Sequence, residues 1–146
     1  MVRFSHEDQG PVSISIFVKL YGIALVSFLV IDLLWLGVVA RSFYRAELGH
    51  LMRPNVNWAA AIVFYLVFVL AIVVLVVWPA VERESLDRAL LLGALFGLAT
   101  YAAYDLTNLA TLEGFPVQMA VIDMIWGTAL CTAVSSLTYL AATRIV

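Results

Sequence analysis

Four long apolar runs, separated by short polar connectors, take up most of the chain. The first extends from Leu20 to Ala40 and is interrupted only by Asp32, while the second, Trp58 to Val81, carries no charge. The third, Ala89 to Leu112, contains Asp105, and the fourth, Val117 to Leu140, contains Asp123. A helix rising about 1.5 Å per residue needs roughly 20 residues to cross a hydrocarbon layer of about 30 Å, and each run is long enough. The pattern predicts an all-α integral membrane four-helix bundle, with spans at about 20–40, 58–81, 89–112 and 117–140 in a single membrane domain covering 1–146.

The connectors fit that arrangement. Arg41 to Asn57 is polar and of moderate length, Glu82 to Arg88 is short and charged, and Glu113-Gly114-Phe115-Pro116 is a tight turn. Short links make consecutive helices antiparallel neighbours. Arg41-Ser42-Phe43-Tyr44-Arg45-Ala46-Glu47-Leu48 alternates basic with bulky apolar groups and predicts a short interfacial helix that Gly49 terminates. The first run is expected to be a permanent span, because a signal-peptide core is shorter and would not hold Asp32 and Trp35 in its second half. Met1 to Pro11 is polar and expected to be mobile.

Composition excludes several classes of function. The 146 residues are 64% hydrophobic and 12% charged, against roughly 45–50% and about 25% for a soluble domain. A core of this size cannot hide such an excess, so a water-soluble globule is excluded. Lys and Arg number eight and are scattered, which excludes a nucleic-acid partner held by a basic face. Cys131 is the only cysteine and lies in an apolar run, so there is no disulfide framework and it reads as a small core hydrophobe. The expected partner is the lipid bilayer, with a homo-oligomer or a larger membrane complex also possible. Arg3, Lys19, Arg83, Arg88 and Arg144 fall on one side, Arg41, Arg45 and Arg53 on the other. The positive-inside rule then predicts cytoplasmic termini.

Candidate chemistry lies inside the spans. Four spans place the Arg41 to Asn57 loop and the Glu113 turn on one face, from which depth can be counted. Asp32, Asp105 and Asp123 stand about eight, seven and six residues from that face, so all three carboxylates fall roughly 9–12 Å below it. Intramembrane acids are costly against lipid and should point into the bundle. Each has company at i+3: Trp35, Asn108 and Trp126 respectively. Such neighbours share a helix face, and an indole or amide N–H can donate to a carboxylate. Tyr101, Asp105 and Asn108 form one polar stripe, with Tyr104, Thr107 and Thr111 beside it. Val30-Ile31-Asp32-Leu33-Leu34-Trp35 parallels Val121-Ile122-Asp123-Met124-Ile125-Trp126 on oppositely directed helices. Trp35 should therefore stand on the loop side of its Asp and Trp126 on the deeper side, lining a cavity at two levels. Gly93 and Gly97, with Gly127, Cys131 and Ser135, provide small-residue packing surfaces. Arg41 and Arg45 are one turn apart, so that one of them could reach the carboxylates, and His50 could complete a metal site with them. The sequence identifies no catalytic residue, metal or cofactor.

Ile31-Asp32 with Trp35-Leu36-Gly37, Phe43-Tyr44 with Glu47-Leu48-Gly49-His50-Leu51-Met52, Tyr104-Asp105-Leu106-Thr107-Asn108-Leu109-Ala110-Thr111-Leu112, and Ile122-Asp123 with Trp126-Gly127 resemble a bacterial family of small membrane proteins catalogued as a domain of unknown function. The resemblance covers about Leu20 to Leu140. It implies a four-span inner-membrane protein and brings no activity with it. Three functional readings stay open: binding of a proton, cation or small amine ligand by the carboxylate layer; a membrane-embedded enzyme acting on a lipid or isoprenoid-like substrate, with Arg41, Arg45 or Arg53 on a phosphate; and a structural or accessory subunit whose acids are helix-to-helix hydrogen-bond glue.

Overall fold

The computed structural model describes residues 14–145, so Arg3 and the Met1 to Pro11 stretch lie outside the described residues. Four helices are long and apolar enough to cross a membrane: Ile14–Val39, Trp58–Glu82, Leu86–Thr111 and Val117–Ile145. They are called here the first to fourth spans. A non-spanning helix, Arg41–Leu48, follows the first and is called the loop helix. Two spans run past their apolar runs. Lys19 does not stop the first, because a lysine near a membrane end can carry its charge to the surface along an apolar stem. Thr143 and Arg144 extend the fourth, where a cation meets the negative end of the helix dipole.

Polar side chains set the helix starts. Asn57 accepts from the Ala60 N–H at 3.2 Å and Ser85 from the Arg88 N–H at 3.2 Å, capping the second and third spans. Gly114 closes the last turn with φ +76°, a left-handed conformation that costs glycine little. Two spans contain a widened, π-helical turn. In the second it covers Val73–Val77 and ends two residues before Pro79, whose ring would otherwise strike the carbonyl four residues back. In the first it covers Trp35–Val39, where the Ala40 N–H donates to the Trp35 carbonyl at 2.8 Å.

The third and fourth spans make the most extensive contact in the bundle. Their seam is built on glycine. A Cβ on Gly97 would run into the Gly127 carbonyl, and one on Gly93 would lie 3.0 Å from the Cys131 carbonyl oxygen. The first span packs across the fourth and against the second, and Val73–Val77 brings the second span to the third and fourth. The main apolar core joins Leu20, Ala24 and Phe28 to Val69, Ile72, Val73, Val77, Leu130, Cys131 and Val134. It fills the half of the bundle away from the loop helix. A second cluster, Phe115, Met119 and Ala120, receives Phe43, Tyr44 and Leu48 and seats the loop helix over the turn between the third and fourth spans.

Candidate functional site

The three intramembrane carboxylates are all buried: Asp32 is 4% exposed, Asp105 0% and Asp123 9%. Asp32 stands seven residues before the first span ends at Val39, Asp105 six before Thr111, and Asp123 six after Val117. At about 1.5 Å per residue these depths are roughly 9–10 Å below the loop face.

Asp32 is fully engaged. Tyr65 of the second span donates to Oδ2 at 2.9 Å and the Trp126 indole of the fourth to Oδ1 at 3.4 Å, so one carboxylate ties three spans. The Tyr44 hydroxyl of the loop helix donates to Asp123 Oδ1, and the Trp35 indole donates to the Tyr44 oxygen at 3.4 Å. Burial and then the bond to Asp123 push the Tyr44 phenol well above the ordinary tyrosine range, so it remains a donor wherever the protein is folded. Asp105 differs from both. Its carboxyl lies against that of Asp123, and neither of its oxygens has a donor among the described residues. One proton held between the two carboxyls would satisfy both.

The structure departs from the sequence reading at several side chains. The indoles of Trp35 and Trp126 do not stand at two levels, because they stack with centroids 4.2 Å apart and planes 7° from parallel. Side chains lean toward the N-terminus of their own helix. On antiparallel spans Trp35 therefore leans inward and Trp126 back toward the loop face, and they meet. Neither indole serves its own i+3 partner, since Trp126 turns to Asp32 and Trp35 to Tyr44. Asn108 does not satisfy Asp105 either, and lies beside the Tyr104 phenol. Arg41 and Arg45 of the loop helix, and His50 beyond its end, are exposed. Among the described residues no group of three His, Cys, Asp or Glu side chains is placed to hold a metal ion, so His50 completes no metal site there. The threonine stripe also turns away, with Thr107 and Thr111 donating to the Ala103 and Thr107 carbonyls of their own helix.

A cavity of about 290 Å³ opens beside the layer, with Asp32, Asp123, Tyr65, Tyr101, Tyr104 and Trp126 in its walls and Tyr44 and Leu48 of the loop helix at one end. Tyr101 reaches it over Gly127, where any Cβ would overlap the phenol ring. Tyr44 and Tyr65 were not singled out in the sequence, although both bond to carboxylates. A signal for Tyr65 existed: it is the one tyrosine of the second span, seven residues from Trp58. That is roughly 10 Å, the depth of the acids.

No curated protein and no solved structure matches the chain. A family model described as "Predicted membrane protein (DUF2177)" does match, over residues 17–140. That stretch takes in the second and third spans, most of the first and fourth, the loop helix and every carboxylate of the layer, and the chain belongs to this family of membrane proteins.

Proposed function

We propose that the carboxylate layer acts first as a set of hydrogen-bond acceptors that holds the spans and the loop helix in register, as in a structural or accessory membrane subunit. The observation supporting this reading is Asp32, whose two oxygens accept from Tyr65 and Trp126 and so join three spans. A double-mutant cycle of Asp32→Ala and Tyr65→Phe, read as thermal unfolding in detergent, tests it. Hydrogen bonds between membrane helices couple by about 0.6 kcal/mol on average and up to about 1.7, and the cycle should fall in that range. Effects that add within about 0.3 kcal/mol would remove the basis for the reading.

A second reading, in which the layer holds a proton, a cation or a small amine ligand, draws support from the cavity and from the donor-less Asp105. The metal form of that reading gains nothing from the described donor set. The enzyme reading is supported less, since Arg41, Arg45 and Arg53 are exposed and, among the described residues, no Ser, Cys, His or Lys lines the cavity. For the setting, we propose one four-span domain in a bacterial inner membrane with cytoplasmic termini. Lys19, Arg83, Arg88 and Arg144 on that side, against Arg41, Arg45 and Arg53 on the other, support the orientation. Alkaline phosphatase fused after Val146 should be inactive and green fluorescent protein bright. The opposite pair of results would reverse the topology.

A further inference from the structure

The carboxylate cavity has aromatic walls, two carboxyl groups with no basic side chain among the lining residues, and an opening toward lipid. Tyr65, Tyr101, Tyr104, Trp126 and Phe64 surround Asp32 and Asp123. Asp105, completely buried and without a donor among the described residues, stands next to Asp123 outside the lining. Such a site suits a particular kind of cation. A hard metal ion needs several oxygen ligands, and no such set is placed here among the described residues. Aromatic faces instead attract weakly hydrated organic cations, most strongly where water is excluded.

The opening says what accompanies the charge. Phe68 of the second span touches Phe96 and Tyr101 of the third, with ring centroids 5.3 and 6.3 Å apart. Toward the loop face from Phe68 the second span packs on the first, and the backbone contact with the third is made from Val73–Val77. The two spans thus part in the leaflet nearest the loop helix. Phe64 and Tyr104, one from each, line the cavity and are 45% and 53% exposed. A ligand entering between them comes from the hydrocarbon. The volume of about 290 Å³ is at the small end for organic ligands, where pockets run from about 300 Å³ upward.

We infer that this cavity binds the ammonium head of a lipophilic organic cation that enters sideways from the loop-side leaflet, with its hydrocarbon tail left between the second and third spans. This deepens the second reading above and is independent of the hydrogen-bond role of Asp32. The head sits between the Tyr and Trp faces with Asp32 and Asp123 as counter-charges. The ammonium could belong to a free amphiphile or to a zwitterionic lipid headgroup.

The test is isothermal titration calorimetry on the full chain in a maltoside detergent, with three probes sharing one tail: hexyltrimethylammonium, hexylphosphocholine and hexyl sulfate. The ammonium should bind at least about tenfold more tightly than the sulfate, a difference of about 1.4 kcal/mol. Asp123→Asn should weaken it by a similar factor, while its retained side-chain oxygen still accepts from Tyr44. Tyr104→Leu, at an exposed wall position where folding is not at issue, should weaken it about fivefold. Equal binding of hexylphosphocholine and hexyltrimethylammonium would identify a lipid headgroup as the source, and weaker phosphocholine binding a free cation. Equal binding of cation and anion, or unchanged affinity in both variants, overturns the inference. Neither result bears on the Asp32–Tyr65 cycle, which is read without ligand.

Discussion

Replacing Gly97 by alanine adds one methyl group where the backbones of the third and fourth spans approach closely. A Cβ there would overlap the Gly127 carbonyl oxygen and lie 2.9 Å from the Cys131 Cβ. The first obstacle is backbone, which cannot swing aside as a side chain can, so the helices must separate along the seam. Overpacking of this kind costs about 1–3 kcal/mol. Gly22 is the matched control: it lies within the first span, and a Cβ on it would meet nothing within 4 Å. There the same substitution reduces the backbone freedom of the unfolded chain and should stabilise by about 0.5–1 kcal/mol. With roughly 2–4 °C per kcal/mol for a chain of this size, Gly97→Ala should lower the midpoint by about 2–12 °C and Gly22→Ala raise it by about 1–4 °C. Thermal unfolding of both proteins in one detergent, followed by circular dichroism, gives the comparison. If Gly97→Ala matched or exceeded Gly22→Ala, the close approach of the two spans would be wrong, and with it the route by which Tyr101 reaches the cavity.

Three further substitutions test the loop helix. Its phenol, Tyr44, titrates well above the usual value because it is buried and bonded to Asp123. A folded-state pKa above the unfolded value of about 10 contributes stability below pH 10 that is lost as pH rises through the folded value. The wild type should therefore lose stability between pH 8 and pH 11 more steeply than Tyr44→Phe, as read by chemical denaturation. Parallel slopes would detach Tyr44 from the layer. Arg41→Gln and Arg45→Gln, on the exposed face of the loop helix, should each change stability by less than about 0.5 kcal/mol and leave hexyltrimethylammonium binding unchanged. A tenfold effect of either on binding would bring an arginine into the site.

The four spans were legible because membrane crossing depends on length and apolarity, which a sequence displays directly. The shared depth of Asp32, Asp105 and Asp123 was legible for a related reason: helical rise is fixed, so residues convert to ångströms once the loops are assigned to a face. Side-chain partners did not follow from the same count. Helical spacing nominates i+3 and i+4 neighbours, yet Trp126 serves Asp32 and Trp35 serves Tyr44. Those choices depend on two indoles leaning toward each other from antiparallel helices, a relation between chains of residues that no single helix contains. Tyr65 carries no charge signal in a span without charges, although its depth matches the acids. Tyr44 stands between Arg41 and Arg45, whose charge is the visible feature of that segment. On an eight-residue helix, however, Phe43, Tyr44 and Leu48 pack on Phe115, Met119 and Ala120, while Arg41 and Arg45, within one turn of Tyr44 and Leu48, stay exposed. In a membrane the more informative question about a polar aromatic group is which layer it reaches. By that criterion both tyrosines belong with the carboxylates, and the charge-free second span is what brings a donor to Asp32.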